Sequence, residues 1–521
     1  MRKLFNIAGP CNSQDHYIID ATRRLGGETA KLIEEKQYFV IHAARQSGKT
    51  TLLLELTDKI KAEGKYHALY CSLEGMQEIK EPKEGLPAIV KKIKLELKTQ
   101  KLPNGFAADA DYGDFANILK GTLTDYCESL EKPLVIFFDE ADCLSNGTLI
   151  SFLRQLRDGY VSRSRIPFVQ TIALVGMRNI RDYKARVRPE SATLGSASPF
   201  NIVSESMTLR NFKYEEVTEL YSQHTELTGQ VFEKDTEEFI FEQTQGQPWL
   251  VNAVARECVE KICNLNYSIA INKEMALTAI HNLIQQRGTH FDSLMERLKE
   301  ERVKSIIEPM LLGKDDSEIN KTSDDFLYTK DLGLIRQEEK TRRVIPANQI
   351  YAETMARALN LNTQESLMKY EKYEIPNYIK GGKIDVKILL SDFQAFWREN
   401  SEIWERVYEY KEAAPHLILM AFLQRVINGG GLIQREFALG NQRVDLCIVY
   451  KDGKYPIELK IDRGEGYIKK GYSQLLEYMD KCGVSEGSMI IFDKNPGKSW
   501  DDRIFIREEL QNGKRVMLFG C

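Results

Sequence analysis

Residues 38–53 read YFVIHAARQSGKTTLL, an apolar run followed by a polar turn with Gly48, Lys49 and Thr50 and then by a helix-forming segment. A loop that binds nucleotide phosphates needs converging backbone N–H groups and a glycine where a side chain would collide with the phosphates. Gly48 meets the second need, Lys49 can reach the phosphates, and the Thr50 hydroxyl can bind Mg²⁺. The stretch therefore predicts a buried strand, a phosphate loop and a helix whose positive end faces the nucleotide.

The loop is expected to bind ATP with Mg²⁺, and Gln46 and Ser47 are expected to contribute to nucleotide binding beside Gly48 and Lys49. It departs from the usual motif at one position, because Ala43 stands where the first glycine is expected. That change can alter the geometry of the loop, but it leaves the Gly-Lys-Thr core in place.

Residues 134–140, LVIFFDE, form an unbroken apolar run that ends in Asp139 and Glu140. This pattern is typical of a buried parallel strand that stops at the active-site edge of a sheet. Asp139 would hold Mg²⁺ through water, and Glu140 would polarise the attacking water. The alternative is a chance Gly-Lys-Thr beside an ordinary acidic turn, but the strand-to-turn context of both stretches favours a nucleotide site.

Strand-like runs and amphipathic segments alternate over residues 35–205, which predicts a parallel sheet flanked by helices. The predicted strands are residues 38–42, 67–72, 134–139 and 171–176. The loop after the fourth strand contains Arg178, which is either a sensor of the γ-phosphate or a surface arginine.

Within residues 206–274, the apolar spacing is helical from about 209 to 265, with Val217, Leu220 and Tyr221 on one stripe. The turn Gly246-Gln247-Pro248 leads into a second helix. It could cover the adenine of a bound nucleotide, or it could only start the helix. The segment is predicted to be a small helical lid.

Residues 275–360 are predicted to form a separate small unit with a helix at 294–307. Two short strands, 334–336 and 343–345, with a polar tip between them predict a hairpin of the kind called a wing. Residues 361–383 are predicted to be a linker.

The C-terminal part, residues 384–521, contains a predicted meander of strands with Asp445 on one strand and Glu458 and Lys460 on the next. Because side chains alternate along a strand, Glu458 and Lys460 share one face while Leu459 points into the core. Asp445 and Glu458 could bind Mg²⁺, and Lys460 could orient or deprotonate a water, as in a metal-dependent phosphodiesterase.

Two more residues are candidates for this second site. Gln474 lies on the helix after the meander, and Glu412 could supply a further carboxylate from the preceding helical region. The pattern is also compatible with a solvated, charged meander, since exposed strands often carry such residues.

Composition restricts the classes of function. At 521 residues the chain is long enough for several domains, and 72 basic against 76 acidic residues give a net charge of −4, so any nucleic acid must bind a local basic surface. The 9 cysteines include no Cys-x-x-Cys pair, which favours reduced thiols and a cytoplasmic location. Neither a signal-peptide core nor a membrane span is expected.

Five stretches together resemble a bacterial family of AAA-like P-loop ATPases fused to a C-terminal PD-(D/E)XK nuclease domain. They are residues 5–17 (FNIAGPCNSQDHY), 38–53, 198–202 (SPFNI), 346–354 (PANQIYAET) and 423–445 (LQRVINGGGLIQREFALGNQRVD). The resemblance implies an α/β multidomain protein. Its implied parts are a P-loop NTPase core at 1–205, a helical lid at 206–274, a winged-helix unit at 275–360, a linker at 361–383 and a restriction-endonuclease-like domain at 384–521.

The two candidate sites lead to a first hypothesis, a DNA nuclease gated by ATP, with DNA a better substrate than RNA. A second hypothesis is an ATP-dependent sensor whose C-terminal domain binds nucleic acid without cutting it. DNA translocation is a third, but no helicase motif accompanies the ATP site. A homo-oligomer is possible, because AAA-type modules often need a neighbour to complete the site.

Overall fold

The computed structural model divides into two units. The described residues are 3–25, 28–104, 114–144, 146–177, 202–286, 289–311, 320–338, 342–355, 378–380, 383–407, 419, 422–423, 432–434, 446–450, 453–462, 465–493, 497–511 and 513–521. One unit combines Met1–Gly288 with Asn320–Ile350, and the other combines Thr289–Ile319 with Tyr351–Cys521. Residues 275–360 thus contribute to both units, and the five-part division of the chain stays a prediction.

The first unit is built on a parallel sheet of five strands in the order β2-β3-β4-β1-β5. The strands are β1 (Tyr38–His42), β2 (His67–Ser72), β3 (Leu134–Asp139), β4 (Thr171–Gly176) and β5 (Val203–Thr208). The four predicted strands are confirmed. The fifth was missed because β5 lies at the edge, where only Val203 and Met207 are buried and polar residues interrupt the apolar pattern.

Helices cover both faces of this sheet. They are α1 (Glu28–Glu34), α2 (Lys49–Glu63), α3 (Pro82–Thr99), α4 (Ile118–Glu128) and α5 (Asn146–Ser162). On β1, Phe39 and Ile41 pack with α1 and α2, whereas Tyr38 and Val40 pack with α3, α4 and α5. Burial on both sides explains why the strands are continuous apolar runs rather than alternating ones.

Four helices follow β5, namely α6 (Tyr214–Thr228), α7 (Lys234–Thr244), α8 (Pro248–Arg256) and α9 (Lys273–Gln286). The predicted stripe of Val217, Leu220 and Tyr221 is buried. The N-terminal segment of the chain packs on α6, where the Tyr17 hydroxyl lies 2.9 Å from His224 Nδ1. Phe5 meets Tyr221 edge-on, with the ring centroids 5.7 Å apart.

The first unit also contains a helix and a hairpin from later in the chain. They are α12 (Asp324–Asp331), β6 (Ile335–Gln337) and β7 (Val344–Pro346), and the two strands pair antiparallel, each displaced by one residue from its prediction. The turn before β6 lies on the phosphate loop, because a Cβ on Gly333 would come within 2.4 Å of Ala44 Cβ.

The helix predicted at residues 294–307 is wrong as a single element. Two helices occupy this part of the second unit, α10 (Thr289–Leu298) and α11 (Glu301–Leu311). Between them the chain turns, with the Lys299 N–H donating to Glu296 O and the Glu300 N–H donating to Arg297 O. Both bonds span three residues, which tightens the end of α10 and breaks the regular helical ladder.

The main sheet of the second unit is mixed and has six strands in the order β10-β11-β12-β13-β15-β14. The strands of this unit are β8 (Ile379–Lys380), β9 (Lys383–Ile384), β10 (Leu432–Gln434), β11 (Leu446–Tyr450), β12 (Gly453–Ile461), β13 (Glu486–Phe492), β14 (Ile506–Gln511) and β15 (Lys514–Gly520). Strands β10 to β12 form an antiparallel meander, β12, β13 and β15 run parallel, and β14 pairs antiparallel with β15.

A helix lies on each face of this sheet. The remaining helices are α13 (Val386–Val407), α14 (Glu465–Cys482) and α15 (Trp500–Arg503). Ile457 and Leu459 belong to the core that includes α13, whereas Met489 and Ile491 pack against Leu475 of α14. Helix α14 is the crossover that joins β12 to the parallel strand β13. No helix in the described parts of the chain is long and apolar enough to cross a membrane.

Candidate nucleotide site and carboxylate–lysine site

The phosphate loop connects β1 to α2 through two residues with left-handed backbone angles. Gln46 has φ 58° and Gly48 has φ 88°. Lys49 Nζ donates to the carbonyl oxygens of Ala43 and Ala44, each at 3.1 Å. The lysine is therefore folded back over the loop, and its ammonium donates to two carbonyl oxygens. Phosphate oxygens could replace these carbonyls as acceptors.

Asp139 ends β3 beside the start of α2, and its side chain is almost fully buried. Its Oδ2 accepts hydrogen bonds from Thr50 Oγ1 at 2.8 Å and from the Tyr70 hydroxyl at 3.0 Å. Burial and then the charge of Asp139 raise the pKa of Tyr70 well above its usual value, so this phenol remains a donor. The structure brings Thr50 and Asp139 together and adds Tyr70, which the sequence did not indicate.

Glu140 occupies a constrained position after β3. Its φ is 52°, and its N–H donates to Asp139 Oδ1 at 3.0 Å. Burial raises the pKa of Glu140 to about 7; the positive charge of Lys49 opposes this shift, and the neighbouring carboxylates of Asp142, Asp139 and Glu74 reinforce it. A carboxyl group with a pKa near neutrality is suited to accept a proton from water.

The turn after β3 is hydrogen-bonded to the residue that follows β4. Asp142 Oδ2 accepts a hydrogen bond from the Met177 N–H at 3.0 Å, and a Cβ on Gly176 would come within 2.5 Å of Asp142 Oδ1. A side chain at position 176 would therefore displace the Asp142 carboxylate from this contact. Arg178, the predicted γ-phosphate sensor, lies outside the described residues, and its role stays a prediction.

A buried arginine also faces the phosphate loop. Arg24 is only 3% exposed, and its Nε and Nη2 donate to Arg210 O at 2.8 and 2.5 Å. Its Nη1 would lie 3.2 Å from a Cβ placed on Gly48, and its Cζ is 5.0 Å from the centre of the Phe212 ring. Burial, followed by repulsion from Arg210, lowers the pKa of Arg24 to about 10. A poorly hydrated cation therefore lies between the phosphate loop and residues 210–212, just after β5.

The turn before α8 contacts the phosphate loop. Gly246 has φ 67°, and its carbonyl accepts a hydrogen bond from the Phe212 N–H at 2.9 Å. Gln247 caps α8 by accepting from the Leu250 N–H at 2.6 Å, and its Nε2 donates to Gln46 O at 3.4 Å. The turn both starts the helix and touches the nucleotide loop, while its contact with adenine stays a prediction.

The second candidate site lies on β12 in the other unit. Glu458 is fully buried, and Lys460 Nζ is 2.6 Å from Glu458 Oε1. Leu459 is on the opposite face, in the core that includes α13. The strand alternation predicted from the sequence therefore places the carboxylate and the ammonium side by side.

Helix α14 packs directly on this pair. A Cβ on Gly471 would come within 2.5 Å of Lys460 Cε, so a larger residue at position 471 would displace the lysine stem where the helix crosses it. Gln474 follows almost one turn later on α14 and is half-buried. Asp445 and Glu412 lie outside the described residues. Within the described residues, no three His, Cys, Asp or Glu side chains converge as a metal-binding group.

The family of AAA-like domains matches residues 22–357, more than half of the chain. The chain belongs to the AAA-like domain family. Similar solved structures include a Walker-type ATPase of Pyrococcus abyssi, with 14% identity, a TM-score of 0.45 and coverage of 67% of this chain and 99% of that chain. The Holliday junction branch migration motor RuvB of Thermotoga maritima has 14% identity, a TM-score of 0.34 and coverage of 68% and 95%. No curated protein matches the sequence.

The residues of the AAA-like domain fit ATP and Mg²⁺. The first turn of α2 offers N–H groups and a positive helix end, and Gly48 leaves space beside them. Lys49 supplies a cation for the phosphates, and the oxygens of Thr50 and Asp139 suit Mg²⁺. Bound Mg²⁺ would neutralise charge on the phosphates, and the role of Glu140 as acceptor of a proton from the attacking water stays a prediction. The P-loop fold therefore supports ATP hydrolysis.

Replacing Gly246 with alanine is expected to destabilise the AAA-like domain by about 3 kcal/mol. The new Cβ would lie 2.0 Å from Phe212 O, in a backbone conformation that L side chains rarely adopt. Gly64→Ala is the matched control, because Gly64 has φ 73° but nothing lies within 4 Å of its Cβ position. Thermal unfolding should show a clearly larger loss for Gly246→Ala; equal losses would mean that the Phe212 contact is unimportant.

Proposed function

We propose that ATP bound by the AAA-like domain gates a Mg²⁺-dependent nuclease in the second unit, with DNA as the preferred substrate over RNA. The observation that carries this proposal is the fully buried Glu458 paired with the partly exposed Lys460 on one face of β12. This strand follows the AAA-like match, which ends at residue 357. The nuclease is therefore assigned to a separate part of the chain.

The burial of the Glu458 carboxylate beside the partly exposed Lys460 argues for a function. A carboxylate removed from water keeps its charge only beside a cation or strong donors, and Lys460 Nζ lies 2.6 Å from Glu458. Replacing such a pair by apolar residues is often neutral or stabilising, so fold stability alone does not explain it. Ionisable groups held in this way are frequent at functional sites.

The surrounding fold supports the same proposal. The resemblance to ATPase–nuclease fusions implies a restriction-endonuclease-like domain at residues 384–521, and the mixed sheet with a helix on each face agrees with it. Glu458, together with Asp445, would hold Mg²⁺, and Lys460 would orient the attacking water. Gln474 and Glu412 are candidates for further contacts. Bound Mg²⁺ would polarise the scissile phosphodiester.

A second candidate function is a switch that binds nucleic acid without cutting it. The contact between the α12–β6 turn and the phosphate loop favours it, because a Cβ on Gly333 would come within 2.4 Å of Ala44 Cβ. Nucleotide binding that rearranges the phosphate loop would then also move the hairpin segment Asn320–Ile350, which belongs to the same unit. In this case the protein would change conformation with ATP and leave every nucleic acid intact.

The deciding experiment is cleavage of plasmid, linear and single-stranded DNA and of RNA in the presence of Mg²⁺, with and without ATP. We expect ATP-dependent cutting of DNA that Asp445→Ala and Glu458→Gln each abolish while ATP hydrolysis continues. Glu477→Gln is the matched control, because Glu477 is an exposed carboxylate of α14 that pairs with Lys481. It should cut like the unmodified protein.

Two results would reject the nuclease. Cutting that survives both Asp445→Ala and Glu458→Gln would mean that the assigned site is wrong. No cutting of any substrate, accompanied by an ATP-dependent change in nucleic-acid affinity, would support the switch instead.

A further inference from the structure

Strand β14 forms an open edge of the sheet in the second unit. It pairs with β15 on one side, and in the part of the chain that the structure describes no strand pairs with its other side. All six residues of β14 are exposed. Leu510 is 77% exposed and Ile506 is 41% exposed, so two large apolar side chains stand on this edge.

The direction of the backbone groups on β14 follows from one hydrogen bond. The Gly520 N–H donates to Phe505 O at 2.9 Å, which makes these two residues a directly bonded antiparallel pair. Bonded and non-bonded pairs alternate along such a ladder. The N–H and C=O groups of Ile506, Glu508 and Leu510 therefore point away from β15 and are available to another strand.

The sequence of β14 is complementary to itself. When a second copy runs antiparallel with Glu508 opposite Glu508, Ile506 lies opposite Leu510 and Arg507 lies opposite Glu509. Both kinds of pair are favourable across strands, because one joins apolar groups and the other joins opposite charges. The repulsion between the two Glu508 carboxylates at the centre is reduced, because Arg515 Nε lies 3.0 Å from Glu508 Oε1.

We propose that β14 pairs antiparallel with β14 of a second copy of this chain, which joins two sheets of six strands into one sheet of twelve. The symmetry is two-fold and the contact is isologous. Edge strands usually carry charges that repel other strands, but here Arg507 and Glu509 are complementary to a strand with the same sequence in the opposite direction. An edge that repels other strands has no need for an exposed leucine, whereas an edge that pairs with a second copy would cover Leu510.

The pairing would also place two carboxylate–lysine sites on one side of a continuous sheet. Seven strand spacings separate β12 of one copy from β12 of the other, which is about 34 Å along a flat sheet at ~4.8 Å per strand. That the two sites act as nuclease sites rests on the proposed function, but the pairing of β14 with β14 does not. A strand pair of this length buries less than the roughly 1,600 Å² of a standard interface, so we expect a dimer that depends on concentration.

The test is sedimentation of the full-length protein over a range of concentrations, without ATP or nucleic acid. Arg507→Glu and Glu509→Arg should each weaken the dimer at least about tenfold, because each sets like charges opposite one another twice in a symmetric pair. The double variant with both changes should restore the association. Such rescue would not follow if the single changes only damaged the fold.

Leu510→Pro tests the backbone contacts separately. It removes an outward N–H and leaves the β14–β15 ladder intact, because proline is tolerated where an edge N–H faces solvent. Dissociation in this variant with unchanged ATP binding is the expected result. A wild-type protein that stays monomeric, or an assembly that Arg507→Glu and Leu510→Pro both leave unchanged, would overturn the proposal. Because no cleavage is measured, failure of the nuclease would not affect the outcome.

Discussion

Lys49→Met is expected to weaken ATP binding by about tenfold or more and to reduce ATP hydrolysis by roughly 100-fold. The side chain is nearly buried and hydrogen-bonds to the carbonyls of Ala43 and Ala44. These bonds hold the ammonium at the loop before nucleotide arrives. A methionine of similar length keeps the packing but cannot bond to phosphate oxygens.

The loss of the Lys49 charge should also raise the pKa of Glu140. Lys49 is the group that lowers the pKa of Glu140 against the effect of burial. Without it, a larger fraction of Glu140 is protonated at neutral pH and is unable to accept a proton from water. The fall in hydrolysis should therefore exceed the fall in ATP affinity.

Equilibrium binding of a fluorescent ATP analogue and steady-state phosphate release would measure the two effects. Lys59→Met is the matched control on the same helix, because Lys59 is half-exposed and pairs with Asp20. It should change neither quantity by more than about twofold, as expected for a surface ion pair. A Lys49→Met protein that hydrolyses ATP normally would show that the loop is not the nucleotide site.

The sequence predicted the local parts of the nucleotide site well, since strand, loop and helix follow one another within residues 38–53. The order of the strands could not be predicted in this way. Strand β4 lies between β1 and β3, so the two motif-bearing strands are not neighbours. Which strand is inserted between them depends on packing of the whole sheet, and no short stretch of sequence encodes it.

Residues that act through tertiary contacts were also missed. Tyr70 reaches Asp139 because β2 and β3 pair in a register that places Ser72 opposite Asp139, and nothing beside Tyr70 in the sequence marks it. Arg24 is similar, because its partners Arg210 and Gly48 are far away in the chain. In the second unit, strand alternation predicted the shared face of Glu458 and Lys460. The contact of α14 with the Lys460 stem is a tertiary contact that sequence spacing could not predict.

Glu140→Gln is expected to reduce ATP hydrolysis by about 100-fold or more while ATP binding remains. The amide cannot accept a proton from the attacking water, but it keeps the size of the side chain and its position after Asp139. Bound ATP should then persist, which can be measured by nucleotide retention after gel filtration. Hydrolysis at the normal rate would mean that another group accepts the proton.

The pH dependence follows from the raised pKa of Glu140. For the unmodified protein, kcat/KM for ATP should rise with pH through about 7, because this quantity reports the titration of the free enzyme. Glu74→Gln is the informative control, since the charge of Glu74 helps to raise the pKa of Glu140 and Glu74 is not among the candidate residues of the nucleotide site. It should move the midpoint to lower pH and preserve the maximal rate, whereas Glu140→Gln should remove the transition.

As the pH rises, the stability of the folded protein should fall while the rate of ATP hydrolysis rises. The pKa of Glu140 is about 7 in the folded protein against an ordinary value of 4.5, so between these values the folded state binds more protons than the unfolded state. The free energy of unfolding therefore falls as pH rises through this window. Glu140→Gln removes the buried charge, and its melting temperature should exceed that of the unmodified protein above pH 7 and approach it near pH 4.5. A variant that is less stable at high pH would show that the Glu140 carboxylate is stabilised where it lies, and that proton transfer needs a different acceptor.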